Sequence, residues 1–193
     1  MNTRTTNLAS VEKSGSLKDL NSTAALQEFA RRGFAKTSIV SLAEAMGVAR
    51  QTLYNRFSNK ETVLQWAVTS LTENLRRNAL QELASEASVN QVLANVFNAW
   101  LGPAVALLNE GPYSEEILGL GRRIKAQANL DPLHHMRSPI RDYLLAQKVR
   151  PDKSQADDLT VLLIYAAKGL MMRCETAAEF NKKVQQLIRG AGI

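Results

Sequence analysis

The sequence predicts an all-α protein, and three observations support that prediction. Apolar residues recur at the spacing of amphipathic helices, whereas sustained apolar–polar alternation rich in β-branched residues is missing from the sequence. Turn pairs of the Asn-Gly type do not join apolar runs. Glycines, prolines and capping side chains divide the helical pattern at short intervals, which predicts about nine helices in 193 residues.

The composition indicates a folded protein of the cell interior. At 45% apolar residues the chain can bury a core, so we expect one medium domain or two small ones. Its single cysteine excludes a disulfide framework and fits a reducing compartment. The N-terminal stretch lacks the apolar segment of a secretory signal, and the apolar run 159–172 is too short to span a membrane. We therefore expect a cytoplasmic protein that binds no membrane.

Three short helices are predicted in the N-terminal third, after a polar arm. Residues 1–15 are rich in Ser, Thr and Asn and are expected to be disordered. Glycines end the next two helical patterns, as they commonly do at helix C-termini. The predicted helices run from about Leu17 to Gly33, from Ile39 to Met46, and through Val48, Leu53 and Phe57.

Longer helices are predicted in the rest of the chain, and capping motifs mark several of their starts. Ser58 and Thr176 each begin the S/T-x-x-E pattern of a capping box. Pro132 and Pro139 each follow a residue that can cap a helix, which predicts a helix start at each proline. Pro103 is expected to end or kink the helix before it. The predicted ranges are 58–82, 88–101, 114–129, 139–149, 154–173 and 177–189.

The most informative stretch joins the second and third helices by a tight turn at Gly47. Both helices are short, and isolated helices below about 12–15 residues are marginal in water. We therefore expect both to pack at a steep angle against the first and fourth helices. A short helix pair joined by a glycine-containing turn is the helix-turn-helix unit.

The third helix is expected to present a polar face to DNA. Leu53 and Phe57 lie one turn apart and should point inward, which leaves polar side chains without a carboxylate on the other side. Arg and Gln can make bidentate contacts to base edges, while Thr, Tyr and Asn reach phosphates or bases. A merely solvated polar face is the alternative interpretation. The polar residues are Arg50, Gln51, Thr52, Tyr54, Asn55 and Arg56.

Charge and helix ends favour the same interpretation. Residues 1–61 hold nine basic and five acidic side chains, so they carry +4 of the net charge of +6. Thr37 or Ser38 would cap the second helix and leave its N-terminal amides able to hold a phosphate. Lys60, at the start of the fourth helix, can supply a further phosphate contact.

These residues lie in a segment that resembles a known family. The stretch from Ala24 to Leu64, about a fifth of the chain, resembles the DNA-binding domain of the tetracycline-repressor (TetR-type) transcriptional regulators. It departs from the usual pattern at Ala49, where a capping serine or threonine is common. The resemblance rests on Phe29, Gly33, Phe34, Thr37, Ser38, Ala43, Glu44, Gly47, Val48, Thr52, Leu53, Tyr54, Phe57, Lys60 and Glu61.

The resemblance implies a role for each matching position. Gly47 would make the turn between the two helices. The implied DNA contacts are phosphate contacts by Thr37 and Ser38, major-groove contacts by Arg50, Gln51 and Thr52, and backbone contacts by Tyr54 and Lys60. Asn55 is expected to make a further DNA contact, and this expectation rests on its residue type alone.

A two-domain homodimer is the expected architecture, with a DNA-binding domain at 16–61 and an effector-binding and dimerisation domain at 62–193. The predicted helix 154–173 is apolar on nearly every side, so one face should pack on a partner. Burial within one chain is the alternative. Two DNA-binding domains roughly 34–36 Å apart would read a palindromic site. The expected interface residues, on the last two helices, are Leu162, Tyr165, Ala166, Gly169, Phe180, Val184 and Leu187.

The resemblance also implies a small-molecule effector, which the sequence does not identify. Aromatic and apolar side chains could line a cavity or form plain core. Arg122, Arg123 and Lys125 suit either an anionic effector or a solvated helix face. His134 and His135 do not suggest a metal site, because adjacent helical residues do not share a face. The candidate cavity residues are Trp66, Phe97, Trp100, Leu101, Met136, Tyr143 and Tyr165.

The function expected from these observations is that of a DNA-binding transcriptional regulator. It would be a ligand-responsive repressor that binds a palindromic double-stranded operator as a dimer. A helical adaptor that keeps the helix-turn-helix fold without reading DNA is the alternative. Nucleophile-elbow, metal-ligand and phosphate-loop motifs are missing from the sequence, so neither an enzyme nor a bound cofactor or metal is expected. Cys174 is either a redox sensor or an incidental thiol.

Overall fold

The chain forms nine α-helices in the residues that its computed structural model describes, which are 20–127 and 132–193. Within those ranges it has no β-strand, so the predicted all-α class is confirmed. The predicted disordered arm and the predicted helix start near Leu17 lie outside the described residues. The helices are α1 (Ser22–Arg32), α2 (Ile39–Met46), α3 (Arg50–Tyr54), α4 (Lys60–Glu82), α5 (Val89–Leu108), α6 (Ser114–Gln127), α7 (Pro132–Ala146), α8 (Lys153–Met171) and α9 (Ala177–Gly190).

Side-chain caps determine where the first and fourth helices begin. The side chain of Asn21 accepts a hydrogen bond from the backbone N–H of Ala24 at 3.0 Å and so starts α1. At α4 the predicted cap at Ser58 is wrong by one residue. Asn59 is the cap there, and it exchanges hydrogen bonds with Thr62 in a capping box.

Two prolines lie inside helices rather than at the ends where the sequence places them. Pro103 does not end α5, which continues to Leu108, and Pro139 lies within α7 instead of starting it. Buried side chains on both sides of each proline hold these helices in the core. Tertiary packing thus offsets the backbone hydrogen bond that an internal proline removes.

Helix α5 is also apolar and long enough to cross a membrane by length and composition. Half of its most apolar window is buried inside the chain, and its side chains form the centre of a protein core. The core helix of a soluble protein passes the same test, so this feature gives weak support for a membrane span.

Two hydrophobic cores divide the buried residues. The first joins α1, α2 and α3 to the start of α4 and includes Phe29, Leu42 and Leu53. It also takes in Leu107 of α5 and Ile117 of α6, and α1 packs against both of those helices. The second core lies among α5, α7, α8 and α9. We call helices α1–α3 the head and helices α4–α9 the body.

A junction of polar contacts and close packing ties α1 to the α5–α6 corner. Glu110 accepts hydrogen bonds from Arg31, at 2.8 and 2.5 Å, and from Gln27 at 3.0 Å. The backbone N–H of Tyr113 donates to the carbonyl oxygen of Ala30 at 3.0 Å. A movement of the α5–α6 corner would therefore be transmitted directly to α1.

Candidate nucleic-acid interface and ligand cavity

The turn between α2 and α3 is made by Gly47 in a left-handed conformation, with φ 69° and ψ 31°. Its N–H donates to the carbonyl of Glu44, and the N–H of Val48 donates to that of Ala43. Space around Gly47 is open, so the positive φ and not crowding favours glycine here. The three residues 47–49 therefore suffice to connect α2 to α3, and the two helices are in contact.

The N-terminus of α2 is capped by Ser38, which is exposed. The Ser38 hydroxyl accepts from the N–H of Ser41 at 3.1 Å, and the Ser41 hydroxyl accepts from the N–H of Ser38 at 3.2 Å. The neighbouring Thr37 is different, because it is buried and its hydroxyl donates to the carbonyl of Gly33 at 2.7 Å. Of the two residues expected to meet phosphate, Ser38 lies at the surface and Thr37 stabilises the loop.

The polar face of α3 is exposed, while its one buried residue, Leu53, holds it on the head core. Tyr54 is 57% exposed, and Thr52 is half-buried. Gln51 donates from Nε2 to the Oδ1 of Asn55 at 2.7 Å, and both side chains lie at the surface. The side chains expected to contact DNA from α3 therefore share one solvent-facing surface, which we call the recognition surface: Arg50, Gln51, Thr52, Tyr54 and Asn55.

A carboxylate for which the sequence predicts no role lies beside this surface. Arg50 forms an ion pair with Glu44 of α2 at 3.1 Å, and both side chains are more than half exposed. An exposed pair of this kind contributes roughly 0–1 kcal/mol. The sequence signal was available, because Glu44 lies in the last turn of α2, but the turn geometry is needed to place it next to Arg50.

The ammonium group of Lys60 holds the loop between α1 and α2. It donates to the carbonyl oxygens of Phe34, Ala35 and Thr37 at 2.7, 2.9 and 3.2 Å. It also lies 4.7 Å from the centroid of the Phe34 ring. An ammonium group has three N–H donors, and these three carbonyls match that number. The sequence predicts a phosphate contact for Lys60, and in the structure its ammonium group is bonded to the loop before Ser38.

A cavity of about 470 Å³ lies among α1, α4, α5, α6 and α8. Its size falls in the range of small-molecule sites, and most of its walls are apolar. Leu26 brings α1 of the head into the wall, so the cavity touches both parts of the chain. Other apolar walls are Val68, Leu71, Leu75, Trp100, Leu101, Ala104, Leu107, Ile117 and Leu118.

Of the side chains expected to line a ligand site, Trp100 and Leu101 are in this cavity wall and the others are not. Trp66 packs on Phe57 of the head, with ring centroids 5.4 Å apart. The reason for the difference is the direction in which each helix faces, which the apolar spacing alone did not resolve. Phe97 and Met136 are buried in the body core, Tyr143 packs at its edge, and Tyr165 is exposed on α8.

Three cations lie at one end of the cavity: Arg122 and Lys125 of α6, and Lys168 of α8. Lys168 Nζ lies 5.9 Å from the centroid of the Trp100 ring. Burial, with the nearby charges of Lys168 and Arg122, lowers the pKa of Lys125 from its usual value. Arg122 is exposed where it joins the cavity wall, whereas Arg123, which is also exposed, is not part of that wall.

The residues expected at a dimer interface fall into two groups. On α8, Leu162 and Tyr165 are 60% and 59% exposed, and Met172 beyond its end is 50% exposed. On α9, Phe180 and Val184 are fully buried within the chain's own core. Leu187 is partly buried against that core, while Ala166 and Gly169 lie near the exposed α8 residues. The apolar stripe of α9 is thus used internally, and the exposed apolar face is that of α8.

Cys174 is buried, and burial raises the pKa of its thiol. A buried, protonated thiol reacts slowly with oxidants, which favours an incidental thiol over a redox sensor. In the part of the chain that the structure describes, groups of three or more potential metal ligands are not found.

Comparisons with known proteins agree with this geometry. Residues 23–66 match the family described as bacterial regulatory proteins, tetR family. An uncharacterized HTH-type transcriptional regulator, YezE of Bacillus subtilis (strain 168), is 29% identical over 73 residues, which are 38% of this chain and 38% of that protein. The chain thus matches well under two thirds of this curated relative's length.

Two solved structures have a similar arrangement of helices. The TetR family transcriptional regulator PfmR from Thermus thermophilus has a TM-score of 0.51 and 17% identity, over 88% of this chain and 92% of that one. The TetR family repressor AlkX from Dietzia sp. strain DQ12-45-1b has a TM-score of 0.48 and 16% identity, over 88% and 94%. The similarity to PfmR supports an argument about the fold alone, because the identity is only 17%. Residues 23–66 are thus similar to the DNA-binding domain of the tetR family, and the fold of the chain is similar to that of a TetR family regulator.

Proposed function

We propose that this chain is a DNA-binding transcriptional regulator that acts as a ligand-responsive repressor. The observation that carries the proposal is the recognition surface, an exposed set of hydrogen-bonding side chains on α3 behind a glycine turn. Side chains of these types match the donors and acceptors of the major groove. The protein would act in the cytoplasm, and an enzymatic activity forms no part of the proposal.

The residues of the head would divide the work of binding DNA. Arg50, Gln51 and Thr52 lie at the start of α3 and would enter the major groove, with Tyr54 and Asn55 at its far end. Ser38, at the exposed N-terminus of α2, would hold a phosphate together with the local amides. Thr37 and Lys60 would act indirectly, because their hydrogen bonds support the loop that presents Ser38.

A homodimer through the exposed face of α8 would present two heads to one palindromic operator. Leu162, Tyr165 and Met172 are large apolar side chains in contact with water in the single chain, which supports an interface there. Two heads spaced roughly 34–36 Å apart would enter successive major grooves on one side of the duplex. Leu162→Lys is expected to yield monomers in sedimentation velocity and to weaken operator binding.

Ligand response would operate through the elements that the cavity shares with the head. Leu26 of α1 lines the cavity, and so does Ile117, which belongs to the head core. A ligand that shifts α6 would pull on α1 through the junction at Glu110 and change the angle of α3. A coupling of about 1–3 kcal/mol would be enough to release DNA.

The decisive experiment is a salt-titrated binding assay with the DNA upstream of the protein's own gene. We expect the full chain to prefer one palindromic segment over scrambled DNA of equal length, with an affinity that falls steeply as salt rises. A helical adaptor would show no sequence preference at any salt concentration. That result would overturn the proposed function.

A further inference from the structure

We propose that the cavity among α4, α5, α6 and α8 binds an amphipathic anion, with its apolar body inside and its carboxylate or phosphate at the three cations. This inference deepens the proposed function, because it gives the chemical class of the ligand to which the regulator would respond. It concerns the cavity walls of the described residues and no other part of the chain.

The apolar part of the cavity favours a hydrocarbon or aromatic body. Its walls include Leu71, Leu75, Leu101 and Ile117, and the Trp100 ring closes one side. A volume of about 470 Å³ exceeds what a simple inorganic anion needs. Transfer of apolar surface from water into such walls is favourable, and hydrogen-bonding partners for a polyhydroxylated ligand are few among them.

The charged end of the cavity selects the sign of the ligand. Arg122 and Lys125 lie three residues apart on α6, so they face the same way, and Lys168 reaches the cavity from α8. The wall contains no aspartate or glutamate among the described residues that form it. An anion placed there offsets both the mutual repulsion of the cations and the burial of Lys125. A neutral ligand forms no charge-assisted contact with Arg122 or Lys125, and a cationic one adds to the repulsion.

The perturbation of Lys125 agrees with this geometry. Its pKa is lowered chiefly by burial and then by the charges of Lys168 and Arg122. A solvated basic helix face does not produce such a shift, because water screens exposed charges. Arg122 and Arg123 are both exposed, but Arg122 lies on the cavity wall and Arg123 lies outside it. Arg123 provides a matched control on the same helix.

Isothermal titration calorimetry on the full, DNA-free chain tests the proposal with four probes: decanoate, decyl phosphate, decan-1-ol and decylamine. We expect saturable binding of one or both anions, about 10- to 100-fold tighter than decan-1-ol, because a charge-assisted contact is formed. Comparing decanoate with decyl phosphate tells the carboxylate from the phosphate headgroup. Decylamine is expected to bind most weakly.

Variants connect that preference to the cavity. Lys125→Met and Arg122→Met should each reduce affinity for the preferred anion about 10-fold or more and leave decan-1-ol binding unchanged. Arg123→Met should change neither. Equal affinity for the anions and decan-1-ol, or an anion affinity that Lys125→Met leaves intact, overturns the proposal. Since no DNA is present, failure of sequence-specific DNA binding does not affect this result, and the two proposals fail separately.

Discussion

The head and the body differ in how closely sequence determines the surface that each presents. In the head, α3 has five residues and one buried side chain, Leu53, which decides the orientation of all the others. In the body, α8 has 19 residues with apolar side chains on nearly every side, and packing against α5, α7 and α9 decides which of them remain exposed. A short helix has few ways to pack, so its apolar spacing indicates which side is buried. A long apolar helix can pack in several ways, so its spacing does not indicate which side stays exposed.

Replacing Leu53 with alanine should have the largest effect and should separate the two regions. Leu53 is fully buried, and deletion of such a side chain costs about 2–5 kcal/mol of local stability. Because α3 has no other buried residue, we expect loss of operator binding in fluorescence anisotropy. The body should retain its fold, checked by helical circular dichroism and by anion binding in the cavity. Loss of both functions together would contradict an independent anchoring role of Leu53.

Arg50→Ala tests whether the recognition surface reads bases. Removal of a bidentate contact to guanine is expected to weaken operator binding by about 1–3 kcal/mol and to relax specificity at one position. Equal losses on operator and random DNA would instead show that Arg50 binds phosphate. Glu44→Gln is the matched variant, because it leaves Arg50 in place and removes its acidic partner. We expect that variant to bind DNA more tightly.

Leu53 and Arg50 also show how much of the site could be predicted from the sequence alone. The inward position of Leu53 and the exposed polar residues of α3 follow from helical spacing in a short segment. The ion pair of Arg50 and the carbonyl contacts of Lys60 do not, because each depends on how two elements approach across a loop.

In the body, the class and number of helices could be predicted but the cavity could not. Trp66 and Trp100 lie at comparable apolar positions in the sequence, yet one packs on Phe57 of the head and the other lines the cavity. Capping motifs placed most helix starts within a few residues. The motif at Pro139 failed, and Pro103 does not end α5, because tertiary packing outweighs the local preference of proline at both positions.

Gly111→Ala tests the junction that connects the two regions. A Cβ atom at Gly111 would lie 2.7 Å from the carbonyl oxygen of Ala30, so the backbone of α1 or of the corner must shift. We expect a loss of about 1–3 kcal/mol in the free energy of unfolding, measured by urea denaturation, and a weaker effect of ligand on DNA binding. Gly119→Ala is the control, because space around Gly119 in α6 is open. That variant should be neutral or stabilising by up to about 1 kcal/mol. Similar destabilisation by both variants would contradict a specific role of close packing between Gly111 and α1.

The smallest expected effect is that of Lys125→Met on stability. The pKa of Lys125 is lowered in the folded chain, so the unfolded chain binds more protons in the interval below the ordinary lysine pKa. The charge therefore lowers the stability of the free protein at neutral pH, and this penalty disappears as pH rises through that interval. We expect Lys125→Met to unfold at higher urea than the parent at pH 7, with a difference that shrinks toward pH 10.5.

Comparing the stability of Lys125→Met and the parent chain with decanoate bound tests whether Lys125 binds the anion. An anion beside Lys125 favours its charged form and stabilises the parent chain, which the methionine variant cannot share. The stability difference at pH 7 should then narrow or reverse. Arg123→Met should show neither the pH dependence nor the response to decanoate, because its side chain is exposed outside the cavity. If the stability difference between Lys125→Met and the parent chain does not depend on pH, the added stability comes from apolar packing of the methionine. The charge of Lys125 would then not measurably destabilise the folded chain.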